Sequence, residues 1–245
     1  MSQKSYKFIK LEKKGKICIL ELNRPEKKNA MNLEMRTEII TALNDLKLDK
    51  RIKCVIFYGG REFFSAGFDR DEVLAVVQSK ENMDQFVESN HNFHQTILDY
   101  PKLLIAAING FALAGAFDLA IICHLRIASK NSIFGHPEIR FGACPLFFPY
   151  MAIVGRGKAL EIALNTGTRD TFLSGTEAYR LNLVNKLVEP EEVLIEAIKM
   201  TKQILQSPEL AITQLIKVSN TFFNQVKIFD SEIDTIIGTL ETSKA

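Results

Sequence analysis

Residues 103–118 read LLIAAINGFALAGAFD, and how this stretch is read decides the fold of the chain. Leu103 to Ile108 is an unbroken apolar run, the pattern of a strand covered on both faces in a parallel sheet. Asn109-Gly110 interrupts it, and small residues then open a helix near Gly115. Strand, tight turn and helix N-terminus in so short a span make one unit of a layered α/β protein. The same order recurs upstream. Lys16 to Leu22 is a short strand-like run ending at Asn23-Arg24-Pro25. Asn32 is suited to cap an amphipathic helix from Leu33 to about Leu48, with Met35, Ile39, Leu43 and Leu46 on one face. Cys54 to Tyr58 is a second apolar strand that stops at Gly59-Gly60. A helix is expected over Met83 to Asp99, ending before Pro101, and a further strand over Leu125 to Ala128. These units predict a mixed α/β domain with parallel pairing.

The character changes after Glu189. Glu191 to Leu205, Pro208 to Asn220 and Thr221 to Thr242 are all patterned as helix, with no strand between them. The chain therefore divides into residues 1–189 and a helical region, residues 190–245. That region is too small to bury a good core alone, so it must pack on the first part or on another subunit.

Composition narrows the function classes. The 245 residues are 47% hydrophobic and 24% charged, which excludes a disordered or collagenous chain. Thirty-one Lys and Arg against 29 Asp and Glu leave a net charge of +2, so neither nucleic acid nor a membrane surface is an expected partner. No apolar run reaches the ~20 residues of a membrane span. The charged N-terminus is followed only by the short apolar Ile17 to Leu20 and then Glu21, which is not a signal peptide; Lys13, Lys14 and Lys16 read as a solubilising turn. Cys18, Cys54, Cys123 and Cys144 form no CxxC pair and suit a reducing compartment, so a cytoplasmic location is expected.

Three segments could carry chemistry. Phe63-Phe64-Ser65-Ala66-Gly67-Phe68-Asp69 follows a strand and a Gly-Gly turn, and Ile108 to Asp118 is the strand-to-helix junction described above. Two such junctions can aim two backbone N–H groups at one oxygen, although strand-glycine-helix turns are common in proteins of every function. The third segment, Phe134-Gly135-His136-Pro137-Glu138-Ile139, sets a carboxylate beside a proline turn. Asp118 lies between Phe117 and Leu119, where an exposed charge is not the obvious explanation. Paired carboxylates can serve as general acid and base once burial separates their pKa values. His91 and His94 share one helix face, but no third ligand follows by spacing, so they read as a helix face and no metal is expected. No phosphate-binding loop, dinucleotide fingerprint, HExxH or GxSxG is present.

Taken in order, these residues resemble the enoyl-CoA hydratase/isomerase (crotonase) superfamily over nearly the whole chain. The resemblance rests on Leu22-Asn23-Arg24-Pro25 with Asn29-Ala30-Met31, Phe64 to Asp69, Ala106 to Ala112, Phe134 to Glu138, Gly155 to Ala159 and Leu183-Val184. It implies an α/β fold: a crotonase-like spiral of repeated ββα units followed by a C-terminal helical oligomerisation region, giving a homotrimer or a dimer of trimers. It implies an acyl-CoA thioester as substrate, with coenzyme A arriving as part of it and no other cofactor. The backbone N–H groups of Phe68 and Gly115 would form an oxyanion hole for an enolate, with Glu138 and Asp118 as the catalytic carboxylates. Arg24, Lys27 and Lys28 would lie beside the CoA phosphates, with Lys27 and Lys28 equally readable as a solvated turn. Ala66, Asp69, Pro145 and Phe147 would line the substrate site.

Three departures bear on the activity. Asp118 stands where the family's hydratases carry glutamate, and one methylene fewer withdraws the carboxylate by roughly 1.5 Å, about one bond length. Leu146-Phe147-Phe148 replaces a glycine-rich stretch after Pro145, and the family's last helix looks cut short. The expectation is an enoyl-CoA hydratase. The alternatives are a Δ3-Δ2 enoyl-CoA isomerase using Glu138 alone, a decarboxylase or thioester hydrolase on the same fold, or a catalytically weak CoA-binding subunit.

Overall fold

The computed structural model describes residues 5–76, 79–141 and 143–225. A six-stranded sheet runs β1 (Ile9–Lys14), β2 (Ile17–Leu22), β3 (Cys54–Tyr58), β4 (Leu103–Ile108), β6 (Leu125–Ser129) and β9 (Lys186–Val188), in that spatial order. Only the β1/β2 hairpin is antiparallel; every later pair is parallel. A second sheet holds β5 (Phe111–Leu113), β7 (Ile133–Gly135) and β8 (Leu173–Ser174). Two isolated parallel bridges, Met31 with Phe68 and Ser65 with Ala112, continue the same side of the molecule upstream of β5. Each turn of the chain thus lays a strand in the large sheet, makes a short extended contact on the second side, and returns through helix. That is a spiral of ββα units.

The helices are α1 (Leu33–Leu48), α2 (Arg70–Val76), α3 (Lys80–Leu98), α4 (Gly115–Ile122), α5 (Phe147–Val154), α6 (Arg156–Asn165), α7 (Gly175–Arg180), α8 (Val193–Ile204) and α9 (Glu209–Gln225). Asn32 caps α1 as its side chain accepts from Met35 N–H at 3.0 Å, and Met35, Ile39, Leu43 and Leu46 are buried as the periodicity requires. The central strands are buried on both faces, and their alternate residues serve two apolar layers. Leu104, Ala106 and Ile108 join the layer beneath α1, α3 and α4, while Leu103, Ile105 and Ala107 join the one beneath α8. α8 therefore closes the open face of the sheet with Val193 and Ala197.

Several elements differ from the sequence reading. Of the N-terminal lysines only Lys16 lies in the turn, beside Gly15 with φ of +62°; Lys13 and Lys14 end the edge strand Ile9–Lys14, and Lys13 pairs with Asp49. Lysines on an edge strand discourage pairing with another chain. The helix expected from Met83 begins earlier, at Lys80, with Ser79 as its cap. Thr221 starts no separate helix but continues α9 to Gln225; residues 226–242 of that expected helix lie outside the described residues.

Candidate active site

The second and third turns of the spiral meet at Phe68 and Gly115. Met31 donates to Gly67 O at 2.7 Å and accepts from Asp69 N–H at 3.2 Å, so it holds both neighbours of Phe68. In a parallel bridge the residue between two such bonds turns its own N–H to the other side. Gly115 is the first residue of α4, so its N–H has no acceptor within the helix. Among the described residues neither N–H donates to a backbone acceptor.

The two segments touch closely. A Cβ on Gly67, whose φ is +98°, would come within 2.6 Å of Leu113 O, and one on Gly115 would meet the Phe68 ring at 2.4 Å. Ala114, just before α4, takes φ +50° and ψ −133°, a conformation that costs a non-glycine residue of order 1–3 kcal/mol.

Phe68 is also held from behind. The fully buried Arg36 of α1 donates to Met31 O at 2.9 Å and to Ser89 Oγ at 3.0 Å, and it pairs with Glu72. Its guanidinium lies 5.3 Å from the centre of the Phe68 ring, within cation–π range. A cation beside Met35 on a helix face otherwise apolar is a signal the sequence reading did not use.

The two carboxylates meet around His136, Asp118 buried and Glu138 half-buried. Asp118 lies in the first turn of α4 and is buried; Tyr150 of α5 donates its hydroxyl to Oδ1 at 3.0 Å. Burial pushes the Asp118 carboxyl up to about 7; Glu138 adds to the shift, while His136, the Tyr150 hydroxyl and the Leu146 N–H oppose it. Glu138 follows β7 in a 3-10 turn, and its Oε1 lies 3.0 Å from His136 Nδ1. Burial alone would lower the His136 imidazole, but Glu138 and Asp118 outweigh it and hold the ring above its ordinary 6.5.

His136 stacks on Phe117 and meets the edge of Tyr150, each with ring centres 5.0 Å apart. Neither His136 nor Tyr150 was assigned a role from the sequence. His136 stood inside a quoted motif, and Tyr150, just beyond Leu146-Phe147-Phe148, was not singled out.

The remaining candidates fall nearby or elsewhere. Arg24 pairs with Asp69 and donates to Ala30 O at 2.8 Å, so both are engaged with each other. Lys27 and Lys28 are exposed, Lys27 beside Asp71 at 3.0 Å. Ala66 is half-buried and donates its N–H to Lys28 O at 3.0 Å, tying that loop to the Phe68 segment. Pro145 is buried, and Phe147 packs half-buried against the core at the start of α5. His94 is buried against Phe93 and Phe68, and burial with Arg36 pushes its imidazole down to about 3. No group of three or more His, Cys, Asp and Glu side chains that could hold a metal ion is present among the described residues.

The model of the enoyl-CoA hydratase/isomerase family matches residues 12–240. The chain belongs to the enoyl-CoA hydratase/isomerase family. It is 37% identical over 217 residues to crotonyl-CoA hydratase of Syntrophomonas wolfei, covering 85% of this chain and 79% of that one. It is 33% identical over 232 residues to short-chain-enoyl-CoA hydratase of Clostridium acetobutylicum, covering 93% and 84%. An enoyl-CoA hydratase/isomerase of Xanthobacter autotrophicus Py2 superposes with a TM-score of 0.85 at 27% identity, over 97% of this chain and 87% of that one. The crotonase spiral and an enzyme of the hydratase/isomerase family, both expected from the sequence, are thereby established.

Proposed function

We propose that this enzyme is an enoyl-CoA hydratase that adds water across the double bond of an enoyl-CoA thioester. The observation that carries the reading is that the buried Asp118, in the first turn of the helix that presents the Gly115 N–H, and the half-buried Glu138 are brought together around His136. In this reading the thioester oxygen sits between the N–H groups of Phe68 and Gly115, which hold the charge of the enolate. Water oxygen bonds to the β carbon, and a proton is returned to the α carbon. Glu138 is the main proton-transfer group, and Asp118 orients the water.

Lys27 and Lys28 face the CoA phosphates, and Pro145 and Phe147 bound the acyl pocket. Arg24 and Asp69 act from behind by holding the loop. No cofactor beyond the CoA of the substrate enters this scheme. The Tyr150 contact favours one second reading. A short Asp118, engaged by a hydroxyl and with its carboxyl pushed up by burial, suits an isomerase in which Glu138 alone moves the proton.

Products separate the readings. The protein is incubated with crotonyl-CoA, 3-hexenoyl-CoA and a malonyl-type CoA, and the products are identified by mass. Hydration of crotonyl-CoA is expected; conversion of 3-hexenoyl-CoA alone would replace this reading by the isomerase, and inactivity on all three would leave a binding subunit.

Residues 190–245 serve as the oligomerisation region in this proposal. Leu210, Leu215, Val218 and Phe222 of α9 are exposed, an apolar stripe suited to a homotrimer or a dimer of trimers. The four cysteines are free thiols, which suits the proposed cytoplasmic setting. Among the described residues no helix is long and apolar enough to cross a membrane.

A further inference from the structure

A carboxylate that moves a proton has two oxygens, and its terminal torsion is soft, so something must choose which oxygen faces the substrate. At Glu138 that choice is made by an imidazole. His136 Nδ1 lies 3.0 Å from Glu138 Oε1, while Glu138 Oε2 has no hydrogen-bond partner among the described residues. The imidazole itself is fixed. Its side chain is wholly buried, one face stacks on Phe117 at 5.0 Å and 21°, and Tyr150 meets it edge-on at 5.0 Å and 88°. Its backbone N–H is held by the carbonyl and the hydroxyl of Thr166, both at 3.1 Å.

We propose that His136 is a positioning residue for the reaction: by bonding Oε1 of Glu138 it leaves Oε2 as the oxygen that exchanges the proton. The proposal rests on the reading of Glu138 as the proton-transfer group.

The groups that face His136 come from three elements: Glu138 on its own turn, Asp118 on α4 and Tyr150 on α5, with Arg126 of β6 acting on Tyr150 from behind. The buried Asp118 and the half-buried Glu138 raise each other's cost of ionising if both are charged. Both also favour a proton on the ring between them, so the three groups titrate as a unit. Tyr150 contributes a hydrogen bond to Asp118 but no charge. The Nε2 atom of His136 has no partner among the described residues, so the proton on Nδ1 is the one the Glu138 bond can hold in place.

Two measurements test this, one of them independent of activity. The imidazole of His136, assigned by comparison with His136→Gln and titrated by nitrogen NMR, should have its midpoint above 6.5 in the wild-type enzyme. In Glu138→Gln that midpoint should fall by about one pH unit or more, as expected when a charged partner is lost. An unchanged midpoint would overturn the proposal.

The second measurement is the pH profile of crotonyl-CoA hydration. His136→Gln keeps a donor but loses the fixed, titrating ring, so kcat should fall about 10- to 100-fold, the scale of a misplaced catalytic group. KM should stay within about twofold, and the acid limb should move up by about one pH unit. A fall in kcat with the limb unmoved would reduce His136 to a packing residue. His136→Asn serves as the second variant should the Gln protein fail to fold. Full activity in Glu138→Gln would instead remove the reading underneath, a result distinct from failure of the inference, in which that variant is inactive and only the His136 signatures are missing.

Discussion

Tyr150 donates its hydroxyl to Oδ1 of Asp118 across 3.0 Å, joining α5 to the first turn of α4. The bond favours the charged form of the carboxyl and partly offsets the burial that raises it. Removing the hydroxyl in Tyr150→Phe should push Asp118 higher still. In a two-carboxylate hydratase the pH optimum then moves upward and the rate at neutral pH falls, with KM little changed. A pH–rate profile that superposes on the wild type would show that Asp118 need not ionise for turnover.

Glu138→Gln keeps the shape of the side chain and removes the base. Hydration of crotonyl-CoA should fall by ~10²–10⁴-fold, the range of a general acid–base contribution. Asp118→Asn should cost a comparable factor if both carboxylates act on the water, and less than about tenfold if Glu138 works alone. Asp118→Glu restores the missing methylene and should raise hydration if reach is what limits the aspartate. Steady-state rates with crotonyl-CoA decide among these outcomes.

Asp118 also has a signature in stability. Its folded pKa of about 7 stands above the ordinary carboxyl value of 3.8, so the folded state binds more protons between those two pH values. Stability therefore falls as pH rises from about 4 to about 7 and stays lowered above that. Asp118→Asn removes this burden while keeping an acceptor for Tyr150. Its melting temperature relative to wild type should be higher at pH 8 than at pH 5, by roughly 2–4 °C for each kcal/mol released. Calorimetry at the two pH values showing no difference in the offset would refute the assignment of Asp118 as the raised group.

Gly67→Ala tests the oxyanion geometry, since backbone donors cannot be deleted by changing a side chain. The new methyl would press on Leu113 O at 2.6 Å in a residue with φ of +98°. The Phe68 and Gly115 segments must then separate, and losing one donor should lower kcat by ~10²–10³-fold. Activity within threefold of wild type in a folded variant would place the oxyanion hole elsewhere.

The exposed stripe on α9 is suited to bury itself against another copy of the chain. Leu215 is 72% exposed and Val218 66%, so each is better suited to an interface than to water. Light scattering should give a trimer or hexamer at micromolar concentration. Leu215→Glu should shift the mass toward that of one chain without loss of helical signal. A monomeric wild type would remove the proposed oligomer.

The parts of the fold that the sequence announced are those with long periods and explicit ends. Helix α1 was legible because Asn32 caps it and its apolar residues Met35, Ile39, Leu43 and Leu46 recur over about three turns. Strands β3 and β4 were legible as unbroken apolar runs. Strands β5, β7 and β8 have three, three and two residues, too few for any alternation to show, so the second side of the spiral was invisible. The site divided likewise. Glycines and carboxylates beside turns drew attention to Gly67, Gly115, Asp118 and Glu138. Tyr150 reaches Asp118 from 32 positions away, and only the packing of α5 on α4 reveals that a core tyrosine is also a donor.

Phe68 leaves the second turn of the spiral and Gly115 opens the third, so the proposed oxyanion site spans a seam between coils of the chain. A thioester gripping both N–H groups would act as a removable clasp across that seam. By mass action it would stabilise the folded form by about 2.7 kcal/mol at a hundredfold excess over its Kd. Hydrogen exchange should slow on both sides of the seam together, at the Met31–Phe68 bridge and at the β5–α4 turn. An enzyme resting without substrate would accordingly be the form in which this joint opens first.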